Sequence, residues 1–332
     1  MLAQGSAGYH RVRQRKRGGT IVIFSAYRPL GCCPRGFLLD VPRCAICLAV
    51  NTRDLRYWVL LVTLSATPLL AQGGNSPADT LVEPFQIVGN VYFVSPEAEH
   101  SSYLITTPDG HILINSGYER QLATIRGSIE KLGFRFGDIR IILGSHAHVD
   151  HQEGDAQIKA LTGAQVMVME QDVPALKNLT PGGKPHPIDR VFRSGDTVQL
   201  GGVTLTALLT PGHTEGCTTY TMKAQDGGRS YDVVIGCGYG ATGRPLVDSP
   251  DYPERANDFR RTYKLARTLH ADVFLGSHGQ HYGLVEKLSK RRPGVNPFID
   301  ATTLPNHIDT YEKQFQDELA KQSVKTKTQP RN

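Results

Sequence analysis

Tryptophan, methionine and cysteine are scarce in this sequence. Its 332 residues include one Trp, four Met and six Cys, and four of the cysteines lie within residues 1–50. Only Cys217 and Cys237 remain in the rest of the chain, which excludes a scaffold held together by many disulfides. Cys44 and Cys47 could form half of a zinc ribbon, but the second pair that such a site needs is absent from the sequence.

Most of the chain also lacks an excess of positive charge. The net charge is +6, but residues 1–71 alone carry ten Lys and Arg against two Asp. Residues 72–332 therefore contain 27 basic and 29 acidic residues, a net charge of −2. A basic, nucleic-acid-binding body is not supported, so we expect no nucleic-acid partner.

No apolar run in the sequence reaches the length of about 20 residues that a membrane-spanning helix needs. The apolar stretch from Trp58 to Leu70 follows Arg53 and Arg56 and precedes small and polar residues. This layout is typical of a signal peptide, which we predict over residues 53–72. An uncleaved anchor is the alternative. The signal predicts a periplasmic or secreted protein without stable membrane association after cleavage.

Residues 1–52 fit neither a signal peptide nor a folded domain. They mix Gly, Arg, Pro and Cys without periodicity, whereas a signal peptide should begin a chain. We interpret 1–52 as a non-native or upstream extension and place the folded domain at 73–332.

Strand and helix patterns alternate along both halves of this domain. Apolar runs such as "FQIVGNVYFV" and "IRIILG" predict strands, and "TPDG" predicts a hairpin turn. Helical spacing appears in "RQLATIRGSIEKLGF", and a final helix is predicted from Tyr311 to Val324. Alternating strands and helices indicate an α/β layered domain.

Histidines follow three of the predicted strands. The first group stands in "GSHAHVDHQEG" and comprises His146, His148, Asp150 and His151. His213 follows the apolar run "LLTPG", and His278 follows "DVFLGS". Since α/β folds place ligands at the carboxyl ends of strands, and imidazole and carboxylate groups suit zinc, the pattern predicts a metal site.

The spacing of these histidines decides between a metal site and a coincidence. A lone histidine after a strand, such as His278 alone, is usually a surface or capping residue, whereas His-x-His-x-Asp-His is specific for metal binding. His281 could support the site from outside the ligand shell. The remaining histidines are interpreted as structural or surface residues: His10, His100, His111, His186, His270 and His307.

The stretches "SHAHVDH", "TPGHTEGCTTY" and "GSH", in this order, resemble the metallo-β-lactamase superfamily. Supporting stretches, including "SSYLITTPDGHILINSGY" and "NPFID", resemble the B3 subclass of metallo-β-lactamases over residues 83–300. The resemblance implies an α/β fold, a four-layer αββα sandwich, with two zinc ions. It also implies a small-molecule β-lactam substrate, and we expect a monomer.

The resemblance also implies a role for each metal ligand. The first zinc would be held by His146, His148 and His213, and the second by Asp150, His151 and His278. A hydroxide between the metals would attack the β-lactam amide of penicillins, cephalosporins and carbapenems, which confers antibiotic resistance. Asp150 would be the catalytic residue that orients this hydroxide.

Other members of the superfamily share the same histidine motif, so lactone, ester or thioester hydrolysis is the alternative function. Those enzymes have an aspartate that bridges both metals at the end of the strand after His213. Here that strand ends in Cys237, Gly238 and Tyr239, which favours a lactamase. A metal-binding protein without catalytic activity is a further alternative.

The resemblance leaves three roles open for Cys237. Because Asp150, His151 and His278 complete the ligand set of the second zinc, we favour a disulfide with Cys217. A free buried thiol and a zinc ligand are the alternatives.

Substrate contacts are expected from residues that depart from the family pattern. Gln152 and Glu153 replace small residues that usually follow the Asp-His pair, and we place both near the rim of the site. Tyr239 or Arg244 would anchor the substrate carboxylate, since an arginine can bind a carboxylate through two hydrogen bonds.

Overall fold

A computed structural model describes residues 80–241 and 243–328 of the chain. The extension predicted at 1–52 and the signal peptide predicted at 53–72 lie outside these residues, so both stay predictions. Within the described ranges, every helix is too short or too polar to cross a membrane.

Two β-sheets form the centre of the described region. The first has seven strands in sequence order: β1 Phe85–Val88, β2 Val91–Phe93, β3 Tyr103–Thr107, β4 Gly110–Ile114, β5 Ile139–Leu143, β6 Gln165–Met169 and β7 Arg190–Phe192. Its first four strands pair antiparallel, and the pairs from β4 to β7 are parallel.

The second sheet has five strands in the order β12-β11-β10-β9-β8. They are β8 Thr197–Leu200, β9 Val203–Leu209, β10 Thr218–Asp226, β11 Arg229–Gly236 and β12 Val273–Gly276. The pair β11–β12 is parallel, and the other pairs are antiparallel. The predicted hairpin is confirmed, because "TPDG" joins β3 to β4 with Thr107 opposite Gly110.

Seven α-helices accompany the sheets within the described residues. They are α1 Leu122–Lys131, α2 Val149–Gln152, α3 Asp155–Thr162, α4 Val173–Leu176, α5 Arg255–Ala266, α6 Leu284–Ser289 and α7 Thr303–Thr328. Helix α3 ends at Gly163, whose φ of 73° is left-handed and suits glycine. The final helix begins at Thr303, eight residues before the predicted start at Tyr311, and Pro305 lies in its first turn, where a helix tolerates proline.

Alternate residues of the first sheet face two different apolar layers. Leu104, Leu113 and Ile142 pack outward with Ile129 of α1 and Ile158 of α3. Their strand neighbours point inward to the layer shared with the second sheet. Because side chains alternate along a strand, runs that are apolar at every position are buried on both faces.

Helices α5 and α7 cover the other face of the second sheet. Phe259 and Tyr263 of α5 each pack 5.6 Å from Phe315 of α7, and Phe274 of β12 lies 4.9 Å from His307 of α7. Each fully buried aromatic of this kind contributes roughly 1.5–3 kcal/mol to folding. The order helix, sheet, sheet, helix confirms the predicted α/β, four-layer αββα sandwich.

Candidate metal centre

The loop after β5 carries four of the predicted ligands past the edge of the first sheet. The backbone N–H of His148 donates to the carbonyl of His146 at 2.9 Å, and α2 begins at the next residue. A Cβ at Gly144 would collide with the end of the Gln152 side chain, so glycine at this position leaves room for Gln152 to pack against the turn. The turn directs His146 and His148 away from the sheet.

Three imidazoles form the first cluster. The ring of His146 lies 4.6 Å from that of His148 and 4.5 Å from that of His213, and the latter two rings are 5.0 Å apart. Their potential ligand atoms all lie within 4.8 Å of one another. Nε2 of His146 is buried without a hydrogen-bond partner among the described residues. Since a buried polar atom is costly to leave unpaired, the cluster fits a metal ion.

Burial keeps these three imidazoles uncharged. Burial and the neighbouring histidines hold the pKa of His146 well below its ordinary value, and burial and Arg244 do the same for the pKa of His213. Burial and Arg244 lower the pKa of His148 to about 4. The neutral imidazole is the form that binds a metal, so the cluster is ready to bind one at neutral pH.

Asp150, His151 and His278 form the second cluster. Oδ2 of Asp150 lies 2.9 Å from Nε2 of His151 and 3.8 Å from Nε2 of His278. The two Nε2 atoms are 3.4 Å apart. Ligand atoms that share a tetrahedral zinc at roughly 2.0–2.1 Å lie about 3.3 Å apart, so these distances fit one ion.

Hydrogen bonds and charges prepare this second cluster. His278 Nδ1 donates to the carbonyl of Glu99 at 2.9 Å, which leaves the Nε2 lone pair free for a metal. Burial would raise the pKa of Asp150, but the hydrogen bond from His151 and the neighbouring imidazoles outweigh it and lower that pKa. The carboxylate is therefore ionised at neutral pH.

His100 also reaches the second cluster. Its Nε2 lies 3.4 Å from Oδ2 of Asp150, and potential ligand atoms of His100, Asp150 and His278 lie within 4.8 Å of one another. From the sequence, His100 is interpreted as a structural or surface histidine, and the structure places its buried ring beside the second cluster. No local spacing marks His100, because its place depends on a backbone bridge to His278, 178 residues later in the chain.

Asp172, which the sequence reasoning did not single out, joins the two ligand-bearing loops. Its Oδ2 accepts from the N–H of Ala147 at 2.8 Å and from the Thr214 hydroxyl at 3.2 Å. Its Oδ1 accepts from the N–H of Gly216 at 2.8 Å. Burial raises its pKa to about 6, against the effect of these hydrogen bonds. One signal in the sequence could have identified Asp172, namely its position just after β6, at the carboxyl edge of the parallel strands.

Cys217 and Cys237 form a disulfide behind the first cluster, with their Cα atoms 5.8 Å apart. Sγ of Cys237 lies 3.5 Å from Nδ1 of His146. The disulfide favoured from the resemblance is therefore present, and its sulfurs are not free as thiolate ligands. The end of β11 thus offers no metal-binding side chain, while Asp232 at its start pairs with Lys223 at 2.6 Å.

A cavity of about 320 Å³ opens beside both clusters. His213, His278, Arg244 and Tyr311 are among its lining residues. Nη2 of Arg244 lies 3.1 Å from Nε2 of His213, so the guanidinium stands at the cavity wall next to the first cluster. Arg244 is the predicted substrate-binding residue that the structure brings to the cavity.

The other predicted substrate contacts lie elsewhere. Tyr239 is fully buried, and its hydroxyl bonds to that of Thr219 at 3.0 Å. Gln152 is 2% exposed and packs against Gly144, not at the rim of the site. Glu153 accepts from the N–H of Glu119 at 3.0 Å. The structure therefore does not bring Tyr239, Gln152 or Glu153 to the cavity wall.

Solved structures resemble the whole folded region. The FEZ-1 metallo-β-lactamase from Legionella gormanii is 42% identical, with a TM-score of 0.70, over 75% of this chain and 99% of that chain. BJP-1, a subclass B3 metallo-β-lactamase of Bradyrhizobium japonicum, is 35% identical, with a TM-score of 0.70, over 76% of this chain and 98% of that chain.

Curated relatives have a different name and match a shorter region. A hydroxyacylglutathione hydrolase of Hyphomonas neptunium is 29% identical over 149 residues, which are 44% of this chain and 49% of that protein. Another, from Methylobacterium nodulans, is 32% identical over 113 residues, which are 33% of this chain and 40% of that protein. The match thus spans half or less of the length of these relatives.

The family model of the metallo-β-lactamase superfamily matches residues 96–278. This range contains both metal-binding clusters, and the structures just described include a subclass B3 enzyme. The resemblance seen in the sequence is confirmed: this chain belongs to the metallo-β-lactamase superfamily and is a hydrolase of that superfamily.

Proposed function

We propose that this protein hydrolyses the amide bond of β-lactams at a site with two zinc ions. The observation that carries the proposal is the pair of adjacent clusters, whose His146 and His151 rings lie 4.2 Å apart, with no carboxylate at the end of β11. The 42% identity to the FEZ-1 enzyme over nearly its whole length supports the same substrate class.

The two clusters supply the zinc ligands of this proposal. His146, His148 and His213 would hold the first ion, and Asp150, His151 and His278 would hold the second. When bound, zinc lowers the pKa of water to about 7 and polarises a carbonyl, so that a nucleophile exists at neutral pH without a general-base side chain.

Asp150 and Arg244 perform the remaining tasks in the proposed reaction. The ionised Asp150 accepts a hydrogen bond from the attacking water and orients it towards the carbonyl carbon. The water oxygen bonds to that carbon and the C–N bond breaks. One water proton passes to the ring nitrogen and the other leaves the new carboxyl group for solvent, so the products are a carboxylate, an amine and a released proton. Arg244 binds the substrate carboxylate from the cavity wall, because a guanidinium matches the two oxygens of a carboxylate.

Thioester hydrolysis is the second candidate function. The names of the curated relatives favour it, since they are hydroxyacylglutathione hydrolases. The end of β11 opposes it, because the resemblance associates that activity with a bridging aspartate and this position is Cys237 in a disulfide.

The proposed enzyme is a monomer and acts outside the cytoplasm, either in the periplasm or after secretion. The Cys217–Cys237 disulfide supports an oxidising compartment. β-Lactams act outside the cytoplasmic membrane, so an exported enzyme would intercept them and confer antibiotic resistance.

A substrate panel tests this function. Purified protein is offered a penicillin, a cephalosporin, a carbapenem, a lactone and a glutathione thioester, each with and without a chelator and after zinc is restored. We expect β-lactam opening that the chelator abolishes and zinc restores. Zinc-dependent turnover of the thioester or the lactone alone would replace the lactamase proposal with the second candidate class.

The variant Asp150→Asn serves as the matched control for the panel. It keeps the shape of the side chain but loses the negative charge, so we expect a far-UV circular dichroism spectrum like that of the wild type and a loss of kcat of at least about 100-fold. Near-normal turnover by this variant would contradict the role proposed for Asp150.

A further inference from the structure

His100 stands at the second cluster because the backbone fixes it there. Residues 98–101 run along the segment that carries His278, and His100 is bridged to His278. The N–H of Ser101 donates to the carbonyl of Ser277 at 2.9 Å, and the N–H of Gly279 donates to that of Ala98 at 3.1 Å. These bonds on both sides of His100 set its position opposite His278.

The ring of His100 points its Nε2 atom towards the ligand atoms of the second cluster. Its Nε2 is 3.4 Å from Oδ2 of Asp150, close to the distance of about 3.3 Å between two ligand atoms of one tetrahedral zinc. The same separation is longer than the usual N–H···O hydrogen bond of roughly 2.7–3.2 Å. The ring centroid lies 5.2 Å from that of His278.

Burial holds the ring of His100 at this point. The side chain of His100 is 8% exposed, and its ring meets the Tyr118 ring edge-on at 5.2 Å. Nδ1 of His100 is buried without a hydrogen-bond partner among the described residues. A metal bond would satisfy Nε2, the nitrogen that faces Asp150, whereas Nδ1 stays unpaired with or without a metal.

We propose that the second metal ion has a fourth protein ligand, His100, in addition to Asp150, His151 and His278. Three histidines and a carboxylate then complete a tetrahedral set, which is typical of closed zinc sites, whereas three ligands leave an open position. The first cluster, with three imidazoles, keeps its open position. The second ion is accordingly held more tightly than three ligands would hold it.

This inference rests on the two-metal site proposed above, and its test measures metal binding instead of turnover. The full protein is labelled with ¹⁵N-histidine, stripped of metal and loaded with ¹¹³Cd, and ¹¹³Cd–¹⁵N couplings are counted by NMR. We expect two cadmium ions, each coupled to three histidines. Two ions with five coupled histidines, and His100 uncoupled, would overturn the inference and leave the two-metal site standing. Binding of a single ion would overturn both.

Substitution of His100 gives a second readout. In His100→Leu, zinc titrated against a chromophoric chelator should bind the second site at least about 10-fold more weakly, with the first site unchanged. The variant His100→Gln repeats the test with a polar side chain, in case leucine disturbs folding. The matched control is His111→Leu. His111 lies in β4, where it is buried against Phe134 and belongs to neither cluster. Equal second-site affinity in the wild type and both His100 variants would contradict the proposal.

Discussion

At the residue scale, single carboxylates and cations determine how the candidate site is held and what it can bind. Asp172 receives hydrogen bonds from the loop of His148 and from the loop of His213, so one buried side chain connects the two loops that carry the first cluster. Arg244 presents a cation to the cavity beside that cluster. Asp172 is thus placed to position the metal ligands, and Arg244 is the residue proposed to recognise the substrate.

Replacing Asp172 with Asn should weaken metal binding without removing the fold. One oxygen becomes an NH₂ group that meets a backbone N–H, so one of the two loops loses its acceptor. Loss of such supporting hydrogen bonds typically costs about 10–100-fold in metal affinity, and we expect a loss of this size in a zinc competition titration. Asp189→Asn is the control, because Asp189 also accepts from a backbone N–H, that of Val166. Unchanged zinc affinity in Asp172→Asn would contradict the positioning role.

Replacing Arg244 with Ala should raise KM for β-lactams more than it lowers kcat. A charged hydrogen bond to a carboxylate contributes roughly 1.5–3 kcal/mol, which corresponds to an increase in KM of about 10–100-fold. Lys at this position should restore part of the affinity. The control Arg267→Ala removes an arginine that pairs with Asp309 and Glu312.

A substrate with an esterified carboxylate sharpens the Arg244 test. It should bind the wild type weakly and show no further loss in Arg244→Ala. An equal increase in KM for the free acid and its ester would show that Arg244 does not recognise the carboxylate.

At the element scale, most strands and helices could be predicted from the sequence because their signals are local. Strand β5 is an apolar run, and Gly163 ends α3 through its left-handed backbone. The early start of α7 was missed because its first turns mix polar residues with Leu304 and Ile308, whose burial depends on packing against other elements. His100 was missed for a related reason, since its contact with the site depends on pairing with a segment far along the chain.

The six ligands predicted for the two metals come together because the strands that precede them end at the same side of the molecule. His213 and His278 each follow a separate strand, so their meeting required knowledge of the family or of the sheet order. The predicted contacts of Tyr239 and Gln152 could not be judged from sequence position alone. Residues near a site in sequence can point into the core, and these two do.

Helix α7 buries a histidine that should make the protein sensitive to acid. Burial lowers the pKa of His307 to about 3, whereas an unfolded histidine has a pKa of roughly 6.5. Between these values only the unfolded state takes up the proton, so the free energy of unfolding falls as pH decreases from about 6.5 towards 3. The slope due to this one group reaches about 1.4 kcal/mol per pH unit.

The variant His307→Phe should reduce the slope of this pH dependence by up to about 1.4 kcal/mol per pH unit, and the other buried histidines account for what remains. Phe suits the aromatic surroundings of Tyr239, Phe274 and Tyr311. Urea unfolding of the metal-free protein between pH 6.5 and 4.5 measures the slope without a contribution from metal release. His270→Phe, at an exposed position, should leave the slope unchanged. A slope in His307→Phe equal to that of the wild type would refute the prediction.

At the scale of the whole molecule, the sandwich and the metal centre contribute to stability in different ways. The layer between the sheets and the layer under α1 and α3 are apolar and are built mainly from strand and helix residues, with Ala147 from the loop of His146 and His148. The ligand loops have no such layer of their own, and each cluster crowds imidazoles around a point where a cation would bind. Metal should therefore stabilise the native state without being needed to form it.

Removal of metal should lower the melting temperature and leave the secondary structure intact. An ion that binds only the native state stabilises it by about 4 kcal/mol when its free concentration is about 1,000 times Kd. In a domain of this size, roughly 1 kcal/mol shifts Tm by 2–4 °C, so chelation should lower Tm by at least about 8 °C. Scanning calorimetry with and without a chelator measures this difference, and far-UV circular dichroism at 25 °C checks that the stripped protein remains folded.

The double variant His146→Ala/His278→Ala supplies the control, because it removes one ligand from each cluster. Its melting temperature should respond little to zinc or to the chelator, whereas the wild type should regain its full melting temperature when zinc is restored. A wild-type melting temperature that is the same with saturating zinc and with the chelator would show that the clusters hold no ion in solution. An unfolded stripped protein would instead show that the apolar layers alone do not support the sandwich.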